Sequence, residues 1–230
     1  MQGRMIGDIA VRRIMEYEGP FLAPGDIFAE ATAEALAPHR HWLEPKALDP
    51  ESGKLIFPFQ SYLVQTKHHT ILIDTCIGCG KTIKHRPQWA NRTDQAWVNN
   101  LRAAGVQPEA IDYVFCTHLH VDHVGWNTSF VDGRWVPTFP NAKYIFAEAE
   151  YAAAETISNS IFRESVLPIM EAGQAQLVAT DFALDDNVWL QSTPGHTTGH
   201  VAVNLASNGH SAVMCGDLIH TPLQCAHPEW

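Results

Sequence analysis

A chain of 230 residues that is 46% hydrophobic can bury a substantial core, as one large domain or two small ones. Its formal net charge of −10 leaves no basic surplus to neutralise phosphates, which argues against nucleic acid as the main partner. No run approaches a membrane span, and "MQGRMIGDIAVRRIMEYEG" has no apolar core of signal-peptide length, so the simplest location is the cytoplasm.

In chain order, "DIAVRRIMEYEG" reads as a first strand, and "DIFAEATAEALAPHRHWL" as a short alanine-rich helix followed by a loop. "KLIFPFQSYLVQTKHHTILIDT" gives two or three β-rich runs with "KHH" as a turn. Asp94 opens "DQAWVNNLRAAG", whose cap, apolar spacing and terminal glycine predict a helix with Trp97 and Leu101 on one buried face. "IDYVFC" is a continuous apolar run of buried-strand length. "KYIFAEAEYAAAE" passes from strand to helix, and "SIFRESVLPIMEAG" reads as another helix despite Pro168. "VWLQST", "HVAVNLA" and "HSAVMC" follow as strands, with Asn208-Gly209 as a hairpin signal between the last two. Strands mixed with helices throughout predict a layered α/β architecture. Two β-rich halves, 59–117 and 143–217, are expected to form two facing sheets with helices outside.

Five cysteines are an odd number, and Cys116 and Cys215 sit in apolar, strand-like runs, the pattern of reduced buried thiols. "CIGC" (Cys76 to Cys79) is a lone C-x-x-C without a second pair at zinc-finger spacing; it reads as a loop, with a redox or zinc role as the alternative.

The densest chemistry lies in "THLHVDHVG", which packs three histidines and an aspartate directly behind the buried strand. Residues two apart can project to one side of an extended segment, so His118 and His120 can grip one ion, while Asp122 and His123 follow as the chain turns and can point at a second. Gly125 lets the backbone turn closely past the site. Downstream, His196 follows a strand and a Pro-Gly turn in "STPGHTTGH", and Asp217 lies just past an apolar strand, where a carboxylate could bridge two ions. The competing reading, satisfied surface or core histidines, suits a lone histidine. It does not suit four such groups so close together, which would otherwise desolvate one another.

"THLHVDHVG", "TPGHTTGH" and "GD" after an apolar strand, in that order, resemble the metallo-β-lactamase-fold hydrolases over roughly 59–230. The resemblance implies one domain over 1–230 in a four-layer α/β/β/α sandwich, with 1–55 as an N-terminal extension and a two-metal site at one edge. Carried onto this chain, His118, His120 and His196 would hold the first ion, Asp122 and His123 the second, and Asp217 would bridge them. Zinc is the first expectation for both ions; manganese, cobalt and iron also fit such ligands. The extension, "IDTCIGCGKTIKHRPQW" and "GDLIHTPLQCAHPEW" look like the quorum-quenching lactonases and related organophosphate hydrolases. That family continues past the bridging aspartate into a helix and a strand carrying one more histidine. This sequence stops 13 residues after Asp217, so the resemblance implies a C-terminally shortened member with a weakened second site, exposed apolar surface and a tendency to dimerise. His227 is the only late candidate ligand.

The resulting expectation is a dinuclear metallohydrolase opening a lactone or related ester, a small-molecule substrate, with Asp122 passing a proton to the leaving oxygen. Thioester hydrolysis of the glyoxalase II kind, phosphotriester hydrolysis, and an inactive metal-binding protein are the alternatives. His200 is expected to support the site without ligating metal, and His220, three residues after Asp217, to face substrate. Trp89 and Trp126 are candidates for an acyl pocket; His39, His41, His68, His69 and His85 read as solvated.

Overall fold

The computed structural model describes residues 3–230. In chain order the strands are β1 (Gly3–Ile6), β2 (Ile9–Leu22), β3 (Leu55–Gln65), β4 (Thr70–Ile73), β5 (Tyr113–Phe115), β6 (Thr128–Val131), β7 (Arg134–Pro137), β8 (Lys143–Ala147), β9 (Ala175–Val178), β10 (Val188–Ser192), β11 (Val201–Ser207) and β12 (His210–Met214). The helices are α1 (Ala33–Leu36), α2 (Arg40–Leu43), α3 (Ala96–Ala103), α4 (Val121–Val124), α5 (Glu148–Ile157), α6 (Leu167–Glu171) and α7 (Leu223–Ala226). A π-helical turn at Phe162–Val166 leads into α6, whose second residue is Pro168, where a missing backbone donor costs nothing.

Two compact units partition the chain. One comprises the residues up to Glu16 with Gln60–Leu218; the other comprises Tyr17–Phe59 with Ile219–Trp230.

In the first unit, a seven-stranded sheet runs in the order β1-β2-β3-β4-β5-β8-β9, and β10, β11 and β12 form a separate antiparallel sheet. The two sheets share one core cluster: Ile71, Ile73, Phe115 and Ile145 of the first meet Leu190, Val201, Val203 and Leu205 of the second. This is the face-to-face arrangement expected, with one correction. The sequence places β8 and β9, within 143–217, in the second sheet; they instead extend the first, pairing in parallel as β5/β8 and β8/β9. Parallel neighbours need long crossovers, and the stretch between β5 and β8, like α5 and α6 between β8 and β9, supplies them. A hairpin of β6 and β7 turns at Asp132 and Gly133, both at positive φ, the backbone that an Asp-Gly turn favours.

Trp97 and Leu101 of α3 are both fully buried, as their spacing predicts, and Trp97 stacks on Trp126 with ring centroids 5.7 Å apart. In the second unit, α1 and α2 are one-turn helices; Phe21 packs against Phe57 and Phe59, and Phe28 lies near Trp230.

Among the described residues, no helix is long and apolar enough to cross a membrane.

Candidate metal centre

Parallel pairing decides where the chemistry collects. β4, β5 and β8 run side by side in one direction, so the chain leaves all three at the same sheet edge, where open α/β sheets build their sites. Asp74 leaves β4 there, Thr117 and His118 follow β5, and α5 begins directly after β8. From the second sheet, the loop between β10 and β11 brings His196, and the turn after β12 brings Asp217.

His118, His120 and His196 offer donor atoms that all lie within 4.8 Å of one another, and so do His118, His123 and Asp217. His120 Nδ1 is 2.9 Å from His196 Nε2; His123 Nε2 is 3.1 Å from Asp217 Oδ1, and His196 Nε2 is 3.3 Å from Asp217 Oδ2. Asp122 stands outside both groups, with Oδ2 3.9 Å from His123 Nε2.

The rings are aimed from behind. Thr117 Oγ1 lies 3.1 Å from His118 Nδ1, which leaves Nε2 buried without a hydrogen-bond partner. Asp74 Oδ2 lies 2.8 Å from His123 Nδ1, and the same carboxylate accepts the Thr117 N–H at 2.8 Å and its hydroxyl at 2.9 Å. A ligating histidine is normally held this way, by its other nitrogen on a carboxylate or hydroxyl. An orphaned buried nitrogen converging with imidazole and carboxylate donors fits divalent ions, which take such ligands at about 2.0–2.2 Å.

Burial, with the neighbouring His123 adding to it, pulls the pKa of His118 well below the usual histidine value, so its ring is neutral and ready to donate a lone pair. Burial also opposes charge on His123, yet Asp74 and Asp217 outweigh it and push that ring well up.

His200 behaves as a support. Its Nδ1 meets Thr193 Oγ1 at 2.8 Å and its Nε2 accepts the Asp217 N–H at 3.1 Å, so it fixes the backbone of Asp217. Gly125 has an ordinary helical φ of −60°. What demands glycine is close approach, since a Cβ there would fall 1.8 Å from the Ile77 carbonyl oxygen. Trp126 is core rather than pocket wall: it is buried, and its Nε1 donates to Glu16 Oε1 at 2.8 Å. The C-x-x-C loop holds its thiols protonated. Burial raises Cys76 well above the ordinary value and Cys79 to about 11, so both stay protonated.

His220 and His227 belong to the second unit. The His220 ring lies 6.1 Å from that of Phe57, and its N–H donates to Gln224 Oε1 at 2.7 Å. His227 stacks on Trp230, and its Nε2 lies 2.9 Å from His39 Nε2.

Three acidic residues that frame the centre escaped the sequence reading. Asp74 ends the run "ILID", and that terminal position was its only signal. Glu16 accepts the Ile77 and Gly78 N–H groups at 2.9 and 3.2 Å, which holds the loop after β4 in place. Glu150 accepts the N–H groups of Leu119 and Gly199.

The family model for the metallo-β-lactamase superfamily matches residues 58–224. The chain belongs to that superfamily. Solved structures superpose on it: a hydrolase of the β-lactamase superfamily, AbOPH, with TM-score 0.74 and 24% identity over 99% of this chain and 77% of that one; and AidC, a dizinc quorum-quenching lactonase, with TM-score 0.73 and 20% identity over 100% and 78%. At such identities the likeness shows the fold, the α/β/β/α sandwich of the superfamily. Among curated relatives, an N-acyl homoserine lactonase of a Bacillus species is 29% identical over 175 residues, 70% of this chain and 64% of that protein. The lactonase AiiA of Bacillus thuringiensis subsp. kurstaki is 28% identical over 181 residues, 73% and 66%. The chain thus spans just under two thirds of the length of these superfamily relatives.

Proposed function

We propose that this chain is a metal-dependent hydrolase that opens lactones, with two divalent ions, zinc first, as its cofactors. The observation that carries the metallohydrolase reading is the buried Nε2 of His118, without a hydrogen-bond partner, within two converging donor groups. The lactone is supported by the curated relatives, which are N-acyl homoserine lactonases aligned over 70% and 73% of this chain.

His118, His120 and His196 would hold one ion, Asp122 and His123 the other, and Asp217 would lie between them. When bound, the ions supply Lewis acidity toward an acyl oxygen and acidify coordinated water. Thr117 and Asp74 hold the His118 and His123 rings by Nδ1, which turns both Nε2 atoms into the site, that of His123 toward Asp217. His200 keeps Asp217 in place through its backbone. Asp122 is half-buried and neither ring nitrogen of His123 claims it within hydrogen-bond distance, which suits a carboxyl group that carries a proton to the oxygen leaving the opened ring. His220 is proposed to face substrate on its place three residues after Asp217.

The test is turnover of N-acyl homoserine lactones by metal-loaded protein, beside a phosphotriester and a thioester as comparators. Lactone opening should exceed both and vanish in His120→Ala together with first-ion retention. Full metal content without lactone turnover would overturn the substrate class. Full metal content and unchanged turnover in His120→Ala would overturn the site.

A further inference from the structure

We infer that Glu150 is a positioning residue that clamps the two halves of the first ion's site together. This rests on the ligand reading of His118, His120 and His196 given above. Those ligands come from loops far apart in sequence, one after β5 and one between β10 and β11. The same carboxylate reaches both. Oε1 accepts the N–H of Leu119 at 3.1 Å, and Oε2 accepts the N–H of Gly199 at 3.0 Å.

The positions of those two amides matter. Leu119 lies between His118 and His120, so fixing its amide fixes the backbone that carries both rings. Gly199 lies between His196 and the supporting His200. Glu150 is only 5% exposed, so water does not replace either bond. It sits in the first turn of the ten-residue α5, where the helix N-terminus favours a carboxylate.

The loop is shaped to reach it. A Cβ at position 199 would fall 2.2 Å from the Glu150 backbone nitrogen, so only glycine lets this loop settle against the start of α5. Apart from the contact between the ligand rings of His120 and His196, the two loops are linked nearby by a backbone bond from the Val201 N–H to the Thr117 carbonyl at 2.9 Å, which lies at the strand ends rather than beside the ligands. Two acceptor oxygens meeting two donors is a demand that glutamine cannot satisfy. Its amide nitrogen would face one of the two N–H groups, donor against donor.

Glu150→Gln therefore keeps the volume and removes one acceptor. With the chelator-stripped full chain and cobalt as probe, the first equivalent should bind roughly 10- to 100-fold more weakly, as expected when a group behind the ligands is lost. The visible cobalt spectrum should also change, because the ligand geometry relaxes. Glu150→Asp, which keeps both acceptors on a shorter stem, should fall between wild type and Gln. Wild-type cobalt affinity and spectrum in Glu150→Gln would overturn the inference. So would an unfolded Gln variant beside an Asp variant that binds cobalt as the wild type does. His120→Ala, run in parallel, separates this failure from failure of the ligand reading, since it abolishes first-equivalent binding only if the ligands are assigned correctly.

Discussion

Asp74 and His123 are joined by a 2.8 Å contact from Oδ2 to Nδ1, and that contact decides which nitrogen of the motif histidine faces the site. Because Asp74 also takes both the N–H and the hydroxyl of Thr117, one carboxylate orients His123 directly and His118 through its neighbour. Asp74→Asn keeps the volume but turns one acceptor into a donor. It should weaken retention of the second ion about 10- to 100-fold. Competition against a graded chelator measures this, and wild-type retention would show that the contact is incidental.

Lys81 gives the first unit a pH-dependent stability away from the metal centre. It is 1% exposed; its Nζ lies 2.6 Å from Thr128 Oγ1, 3.1 Å from the Glu164 carbonyl and 3.5 Å from the centroid of the Trp135 ring. Burial lowers its pKa from 10.5 to about 7, against the opposing pull of Glu164 and Cys79. Between those two values the unfolded chain binds a proton that the folded chain does not, so stability rises as pH increases through this window. The penalty, roughly 5 kcal/mol against the charged amine, is fully present below pH 7. Denaturant midpoints from pH 7 to 10 should climb in the wild type and flatten in Lys81→Met. Equal slopes in the two proteins would refute the assignment.

Gly125→Ala should be costly for a reason that φ does not reveal. The new Cβ would meet the Ile77 carbonyl at 1.8 Å. Neither side can retreat freely, since the Gly125 N–H donates to Cys76 O at 2.7 Å and the Trp126 N–H to Thr75 O at 2.9 Å. Overpacking of this kind costs about 1–3 kcal/mol, and more where backbone is the obstacle. A shifted unfolding midpoint with reduced second-ion content is expected, because the same turn carries His123. An unchanged midpoint would mean that the two loops are looser than the contact implies.

The histidines that the structure brings together after β5 were legible because H-x-H-x-D-H is a pattern with its own spacing, set behind a strand that apolar composition alone reveals. Their supports were not. Asp74, Glu16 and Glu150 are single acidic residues in different segments; the parallel pairing of β4, β5 and β8 unites Asp74 and Glu150, and Glu16 arrives from β2, a placement that no local periodicity encodes. For the same reason β8 and β9 were placed in the wrong sheet: a strand's partner is chosen by a crossover, not by its own residues. The β6–β7 hairpin is a different case. Asp132-Gly133 between "SFV" and "RWV" is a local turn signal that the sequence carries in plain form.

The two ions should leave at different chelator strengths. The first group is complete as it stands, with three imidazoles whose donor atoms already lie within 4.8 Å of one another. His118 within it is neutral, and its buried Nε2 has no hydrogen-bond partner. The second is less prepared. Asp122 lies outside the converging group, its Oδ2 3.9 Å from His123 Nε2, and must rotate inward to ligate. His123 Nε2 is already engaged with Asp217 Oδ1 at 3.1 Å, a contact that an ion has to open. At the first position an ion also has to open the 2.9 Å contact between His120 and His196, but no side chain has to swing in, so the larger share of binding energy is offset at the second. Metal released per chain during a chelator titration should therefore show one ion departing well before the other. In Asp122→Asn, whose neutral amide is the poorer ligand, the early step should move to still lower chelator while the late step stays put. Both ions leaving together in the wild type, or a late step that moves with Asp122→Asn, would contradict this division of the donors.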